Sequence, residues 1–583
     1  MINYVQELII HNIIFKVKIV RLNMSNVFMN KILGNIENGK GEKIAFSYIE
    51  NKTIIEKITY LELYESMIKY RDYFKSLNLE NRVCVLYLKA SVYFIPILFG
   101  CIEAGIKPII KTIGESVSKY KLFDKLNELK NSMKFIDTVI TNYNYPSFDN
   151  YCLNLKLNYV DLENMKSSVI FNDIKSIKID GDIILLTSGS TKASKGVMIE
   201  LKQLESNVQL CQKLWKINEN DVCLNWMPHS HIYGLVTGYL LPIYTCSTSY
   251  IMNPKEFSNH FDYYFESLST FKITHTHTPA SNLFLEKGIE LIPKLCDDFN
   301  LQNLKTVSLG GEAINFALLG KFITKFNKYN LLKNVFSPNY GMSEISGLLT
   351  AIRLNEEIHV VNVDNYDLKF NNKITITNKF NGCNLVSVGK VDKNETIIVE
   401  PNSLNKLANR EIGEIILSVP SLSDGYISSE DNESFIMKNG RRYYKTGDLG
   451  FLDDDYLIVT GRLKEIIKIK GKNISPYEIE NCINLSILGE KINNIVAFSK
   501  KDDIHKFEEI GIFIEPKNSN LDNTKTKEYI ANQLNSKLQI KVNKENIVIL
   551  NKNKIPRFSN GKISRKKCNE YFYKIKEDEN GKS

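Results

Sequence analysis

The pattern of apolar and polar positions changes character along the chain. Near the start, Thr59-x-x-Glu62 reads as a capping box, followed by Leu63, Tyr64, Met67, Ile68, Tyr70 and Phe74 at helical spacing. The β-rich run RVCVLYL (82–88) follows, then the apolar SVYFIPILFGCIEAG (91–105), which stops at Gly105, and IKPII (106–110). Strand, helix, glycine and strand make a βαβ unit, which predicts a parallel sheet with helices on its faces. The rhythm returns in DIILLT (182–187), in the helical LKQLESNVQLCQKLW (201–215) and in TVSLGGEAI (306–314), a strand running into a Gly-Gly turn.

From about residue 380 the runs shorten. LVSVG, TIIVE, EIILSV and YYKTGDLGFLDDDYLIVTG predict short strands joined by turns, a β-rich subdomain. Beyond Gly461, LKEIIKIKG, the helix-like SPYEIENCINL and the strand NNIVAFS predict a smaller α+β piece. The expected boundary falls at 460–465, giving a large domain over 24–460 and a small one over 461–583. Residues 1–23 are apolar but broken by Glu7, His11, Lys16 and Lys18, and Met24 opens a more ordinary start. They read as an upstream extension of the reading frame.

Bulk composition narrows the choices. At 583 residues the chain is too long for one simple core. Ten scattered cysteines without a C-x-x-C pair read as reduced thiols in a cytoplasmic protein, and argue against a zinc site or a disulfide framework. No apolar window reaches the length of a membrane span, and the first residues lack the basic start and cleavage site of a signal peptide. The net charge of +9 is spread among interleaved acids, with no aromatic-interleaved basic strip, so no nucleic-acid partner is expected. The exception is NKNKIPRFSNGKISRKK (551–567), basic without a carboxylate. It suits an acidic partner, a phosphate or a solvated tail equally.

The loop TSGSTKASKG (187–196) lies between two β-rich runs. Small residues let backbone N–H groups approach phosphate oxygens, and a cation can sit over them. Thr187, Ser188, Gly189, Ser190 and Thr191 supply donors, and Lys195 supplies the cation. The order Lys195-Gly196, with a strand following, departs from the Walker pattern. Alone, such a loop is as often a solvated turn. Further segments change the weighing: SPNYGMSEISG (337–347), with Asn339, Tyr340, Gly341, Met342, Ser343 and Glu344; the Thr-Gly-Asp turn at Asp448; Gly461-Arg462; and SNGKIS, with Lys562.

In this order and at these separations, the segments resemble the adenylate-forming superfamily of acyl-CoA synthetases, peptide-synthetase adenylation domains and luciferase-like enzymes. The resemblance covers roughly residues 45–570. It implies an α/β fold: a large N-terminal domain of stacked parallel-rich sheets plus a β-rich subdomain, and a small mobile α+β lid. It also implies activation of a carboxylic acid with Mg2+ and ATP to an acyl-adenylate and pyrophosphate, then transfer to a thiol. By similarity, 187–195 would hold the β- and γ-phosphates, and Thr187 and Glu344 the Mg2+. Tyr340 would stack on adenine opposite Gly310, Gly311 and Glu312, and Asp448 would accept from the ribose hydroxyls. Arg462 would contact ribose or phosphate, Lys562 would bridge the carboxylate and the α-phosphate, and Lys464 would mark the hinge.

Finer features resemble the fatty-acyl-AMP ligases. Lys192 stands where the wider family has Gly, and NWMPHSHIYG (225–234) is similar to their W-L-P-x-x-H-x-x-G segment. That segment places Trp226, His231, Tyr233 and Gly234 at the acyl pocket, with His231 equally suited to a satisfied core position. An insert-like run over 351–384 matches their insertion. The resemblance implies a fatty acid as substrate and a phosphopantetheinylated acyl carrier protein as acceptor. GKNISPYEIE (471–480) is as close to the CoA ligases. An acyl-CoA ligase, an amino-acid adenylation enzyme and a non-catalytic nucleotide-binding homologue therefore stand as alternatives.

Overall fold

The computed structural model describes residues 26–112, 119–143, 147–164, 166–168, 181–187, 195–279, 281–364, 374–376, 383–469, 472–484, 492–500, 508–517, 522–551, 554–557 and 563–580. The extension 1–23 lies outside them.

Two eight-stranded sheets form the large part of the molecule. The first runs Gly347–Ala351, Phe336–Met342, Thr306–Leu309, His275–Thr278, Val222–Asn225, Thr248–Met252, Ile44–Glu50 and Thr53–Thr59. Its inner neighbours are parallel and its two edge strands antiparallel. The second runs Gly425–Tyr426, Lys195–Ile199, Ile183–Thr187, Lys107–Thr112, Val83–Leu88, Thr138–Thr141, Asn158–Asp161 and Lys166–Ser168, and is parallel from Ile183–Thr187 to Asn158–Asp161.

The expected βαβ unit is present, with Cys84 opposite Pro108 across the parallel pair and helix Phe94–Glu103 between. Its central strand is buried on both faces. Cys84, Leu86 and Leu88 enter the main core, while Val83, Val85 and Tyr87 enter a second cluster. This is why the sequence reads as a continuous apolar run. The capping box forms as expected: Glu62 N–H donates to Thr59 Oγ1 (3.2 Å) and Thr59 N–H to Glu62 Oε2 (2.8 Å). The resulting helix, Tyr60–Ser76, lies so close to Phe94–Glu103 that a Cβ on Gly100 would sit 2.7 Å from Tyr70 Cβ.

The β-rich region consists of Thr396–Val399, Gly413–Leu417, Arg441–Asp453 and Phe435–Lys438, with Tyr456–Arg462 paired to Arg441–Asp453. In the insert-like run, Val360–Val363 pairs antiparallel with Cys383–Val386, and 365–373 and 377–382 lie outside the described residues. Farther on, Ile492–Lys500, Glu509–Pro516 and Ile547–Ile549 form a three-stranded sheet packed by Pro476–Asn484, Asn523–Leu538 and Arg565–Asn580. The buried residues of its two apolar clusters all lie at or after Ile467. No helix among the described residues is long and apolar enough to cross a membrane.

At the amino ends of the first sheet's strands, Asp221 is fully buried and accepts from Lys305 Nζ at 2.6 Å, with His275 Nε2 3.4 Å away. Burial pushes its carboxyl up, but His275 and Lys305 outweigh burial and hold it well below the usual carboxylate range. Lys305→Met should cost about 1–3 kcal/mol at neutral pH, less than a fully buried pair because Lys305 is half exposed. The folded carboxyl titrates below its unfolded value, so this stabilisation is present above the unfolded pKa and fades as pH falls through the folded one. Urea unfolding across a pH series checks it: the deficit should shrink in acid, and a variant as stable as wild type at pH 7 contradicts it.

Candidate active site

In open α/β sheets, ligands bind in the crevice beyond the carboxyl ends of parallel strands. Most of the expected site residues stand there. Thr187 ends one strand of the second sheet; in the first, Trp226–His231 follows Val222–Asn225, Gly310–Glu312 follows Thr306–Leu309, and Asn339–Glu344 closes Phe336–Met342. Side chains separated by more than a hundred positions in sequence are thereby gathered at one edge.

Asp448 and Arg462 are directly opposite one another in the antiparallel pair Arg441–Asp453 and Tyr456–Arg462. Arg462 Nε donates to Asp448 Oδ1 at 2.7 Å, and Tyr340 hydroxyl donates to Asp448 Oδ2 at 2.6 Å. The turn is set by Thr446 Oγ1, which accepts from Asp448 N–H, and by Glu414, which accepts from Gly447 N–H. The Asp448 charge holds the Arg462 guanidinium above its usual range, and burial together with that charge raises the Tyr340 phenol. Tyr340, expected as an adenine platform, thus also orients the carboxylate expected to hold ribose.

Around Lys195, expected to meet phosphate, side chains from both sheets come together. Lys195 Nζ lies 2.8 Å from Asp431 Oδ1 and 5.1 Å from the Tyr426 ring centroid. Tyr426 hydroxyl donates to Glu344 Oε1 at 2.6 Å, and Thr187 Oγ1 donates to the Lys195 carbonyl at 3.4 Å. Burial and the Glu344 carboxylate raise the Tyr426 phenol far above its usual value, so it stays a donor. Glu344 and Thr187 offer a carboxylate and a hydroxyl, hard oxygen donors. That set fits Mg2+, which takes one or two protein ligands and completes its shell with phosphate and water.

Glycines 310 and 311 are required by close approach. A Cβ on Gly310 would sit 2.3 Å from Asn339 Oδ1, and Gly311, at φ +78°, has the Pro279 carbonyl 2.5 Å from where its Cβ would be. Asn339 Nδ2 donates to Ser308 Oγ (2.8 Å) and to Tyr233 hydroxyl (3.0 Å), and Tyr233 and Ser308 also bond to each other. Tyr233 therefore spans from the helix after His231 to the sheet edge. Glu312 accepts from Asn282 N–H at 2.8 Å, capping helix Ser281–Leu291. His231 Nδ1 accepts from Tyr233 N–H at 3.3 Å, ending the turn that starts helix Ile232–Leu235. A Cβ on Gly234 would lie 2.5 Å from the Pro228 carbonyl. Trp226 stacks on Phe257 with ring centroids 3.7 Å apart and is buried in the main core cluster.

Other expected residues are not described at this cluster. Ser188, Gly189, Ser190 and Thr191, with Lys192, lie outside the described residues, as does Lys562. The base of the Lys562 loop is fixed, with Arg557 bridged to Ile563 and Ser564 N–H donating to the Pro556 carbonyl. Lys464 is exposed in the turn Leu463–Glu465. Sequence reasoning missed Tyr426, Asp431 and Glu414, and met Thr446 only as part of the Thr-Gly-Asp turn. Only the GY at 425–426, an isolated aromatic after glycine, carries any signal for them.

A family model described as AMP-binding enzyme matches residues 157–427. The chain has the fold of the adenylate-forming enzymes, and its segment 157–427 matches the AMP-binding model. A medium-chain-fatty-acid–[acyl-carrier-protein] ligase, JamA of Moorena producens (strain JHB), is 25% identical over 559 residues, covering 91% of this chain and 92% of that protein. A long-chain-fatty-acid–AMP ligase of Mycobacterium marinum is 26% identical over 428 residues, covering 66% and 67%. A structure from a study of fatty acyl-adenylate ligases of E. coli and L. pneumophila superposes with a TM-score of 0.79 at 22% identity, covering 94% of this chain and 98% of that one, a likeness of fold.

In this fold the matched segment ends at 427, within one residue of Tyr426, whereas Asp448 and Arg462 stand beyond it. The two parts meet through Tyr340. Gly341, next to it, tolerates no side chain: a Cβ would lie 2.2 Å from the Gly347 carbonyl oxygen in the neighbouring strand. Overpacking of this kind costs about 1–3 kcal/mol, and here it would displace Tyr340 and Glu344 together. Gly341→Ala should raise the KM for ATP at least about 10-fold, the kinetic equivalent of about 1.4 kcal/mol, while unfolding stays cooperative. An unchanged KM would show that the strand pair relaxes without moving the site.

Proposed function

We propose that the enzyme activates a fatty acid with ATP to an acyl-adenylate and passes the acyl group to the phosphopantetheine thiol of an acyl carrier protein. The observation that carries the reading is the gathering of Lys195, Glu344 and Tyr340 where two large sheets meet, with Asp448 and Arg462 of the β-rich region bonded to Tyr340, in an adenylate-forming fold. Resemblance to a carrier-protein ligase along nearly its whole length supports the choice of acid and acceptor.

In the first step a carboxylate oxygen attacks the α-phosphorus. A new P–O bond forms, the bond to the bridging oxygen of the β-phosphate breaks, and pyrophosphate leaves. The acid is already ionised near pH 7, so no general base is required. What the reaction needs is cations where negative charge develops on the non-bridging oxygens. Lys195 meets the β- and γ-phosphates, Asp448 and Arg462 hold the ribose side, and Lys562 bridges the carboxylate and the α-phosphate. Bound Mg2+, held by Glu344 and Thr187, would neutralise phosphate charge. In the second step the thiolate attacks the acyl carbon, the C–O bond to phosphate breaks, AMP departs and the thiol proton passes to solvent. Lys562 lies in the small C-terminal domain, so closure about a hinge at Lys464 assembles the site.

The test supplies purified enzyme with ATP, Mg2+ and a panel of acids, with CoA or with a phosphopantetheinylated carrier protein, and reads products by mass spectrometry. Acyl-carrier should form and acyl-CoA should not. Fast acyl-CoA formation without carrier favours a CoA ligase, and pyrophosphate exchange with amino acids alone favours an amino-acid adenylation enzyme. Lys562→Ala should lower adenylation by about 10²–10³-fold; adenylation equal to wild type removes Lys562 from the mechanism.

A further inference from the structure

Asp431 belongs to no motif noted in the sequence, yet it touches the lysine that the proposed function places on the phosphates. Its carboxylate lies 2.8 Å from Lys195 Nζ, and the turn that carries it is fastened on several sides. Asn432 Oδ1 accepts from Tyr426 N–H (2.8 Å), and Asn432 Nδ2 donates to the Tyr426 carbonyl (2.9 Å). Asp431 N–H donates to the Ser428 carbonyl at 3.1 Å. The clasp needs Gly425, at φ +116°, because a Cβ there would lie 2.5 Å from Asn432 Oδ1. Strand Gly425–Tyr426 pairs with Lys195–Ile199, Tyr426 opposite Val197, and Ile427 N–H donates to the Gly196 carbonyl, so the backbone leading to each partner is tied to the other.

The contact is therefore framework-held rather than a chance meeting of two long side chains. It is also displaceable, since a quarter of Lys195 and a third of Asp431 remain exposed. An ion pair so placed is weak enough for a polyanion to break. We propose that Asp431 is a built-in counter-ion of Lys195, a positioning residue that keeps the ammonium aimed at the phosphate site and competes with phosphate for it. It holds down affinity for pyrophosphate and for the β- and γ-phosphates of ATP, which favours departure of pyrophosphate after adenylation. The inference rests on the reading of Lys195 as a phosphate ligand.

The signature is a gain of affinity, which structural damage does not give. Calorimetric titration with magnesium pyrophosphate, and the KM for ATP, are measured for wild type, Asp431→Asn, Asp431→Ser, Lys195→Ala and the Lys195→Ala/Asp431→Asn double variant, with Glu430→Gln as a neighbouring-charge control. Asp431→Asn and Asp431→Ser should bind pyrophosphate about 2- to 5-fold tighter and lower the KM for ATP similarly, the range expected for a partly exposed ion pair. The gain should vanish in the Lys195→Ala background, and Glu430→Gln should change nothing. Weaker or unchanged pyrophosphate binding in both Asp431 variants overturns the proposal. So does a gain that persists without Lys195, or one that Glu430→Gln matches, because either reports general charge. If Lys195→Ala itself leaves pyrophosphate affinity unchanged, the reading of Lys195 fails, and this proposal with it.

Discussion

The site depends on one buried carboxylate having all its charge answered. Asp448 is 7% exposed, and each of its oxygens takes a strong donor, Arg462 on one and Tyr340 on the other. Leaving a buried carboxylate half paired is costly, because water no longer solvates it. Its donors come from different parts of the molecule: Tyr340 from the edge of the first large sheet, and Arg462 from the last position of the β-rich hairpin, just before the turn to the C-terminal sheet. Thr446 and Glu414 fix the turn beneath it. Satisfying this carboxylate therefore sets the relation between the nucleotide-facing sheet, the β-rich region and the exit of the chain.

The same pattern recurs around Lys195. Lys195 meets Asp431, Glu344 meets Tyr426, and Tyr426 lies against both Lys195 and Tyr444. Each charged group is aimed by a partner on another element, so little rearrangement is required when a polyanion arrives. Preorganised charge of this kind is the main resource for a reaction that concentrates negative charge at phosphorus. The partners are hydroxyls and partly exposed ions, which can yield, rather than fully buried pairs, which cannot do so cheaply.

Much of this was legible in the sequence because it is local or spaced by rule. The βαβ unit shows itself because strand Val83–Leu88 is buried on both faces, and the Thr59 capping box because both partners lie within one turn. Tyr340, Asp448 and Arg462 stood out through their neighbours. Tyr426 and Asp431 did not, since Tyr426 meets Glu344 across 82 positions and no spacing links Asp431 to Lys195. His231 could be read as a ligand or as a satisfied residue, and its capping bond depends on a turn that sequence leaves open. Trp226 is named by its segment, but its stacking on Phe257 is a tertiary event that no spacing announces. The pair of Asp221 and Lys305 was silent for the same reason.

The hairpin over 441–462 has a second duty. Its turn end carries Asp453, which accepts from Arg410 Nε at 2.6 Å and lies 2.9 Å from His359 Nε2, while Tyr456 hydroxyl donates to Glu356. Burial pushes the Asp453 carboxyl up, but Arg410 and His359 outweigh it and keep it ionised. These contacts tie the first part of the insert-like run to the hairpin. Asp448 lies five positions from Asp453 along the same strand, about 17 Å at the usual rise. One ladder thus holds Asp448 at one point and the insert-like run at another. Strand side chains alternate between faces, so a one-residue slip would turn both carboxylates away from their partners at once. The irregularity between Leu449 and Gly450 lies between the two points and absorbs the mismatch in register. It lets the turn-end contacts and the Asp448–Arg462 pair be satisfied together.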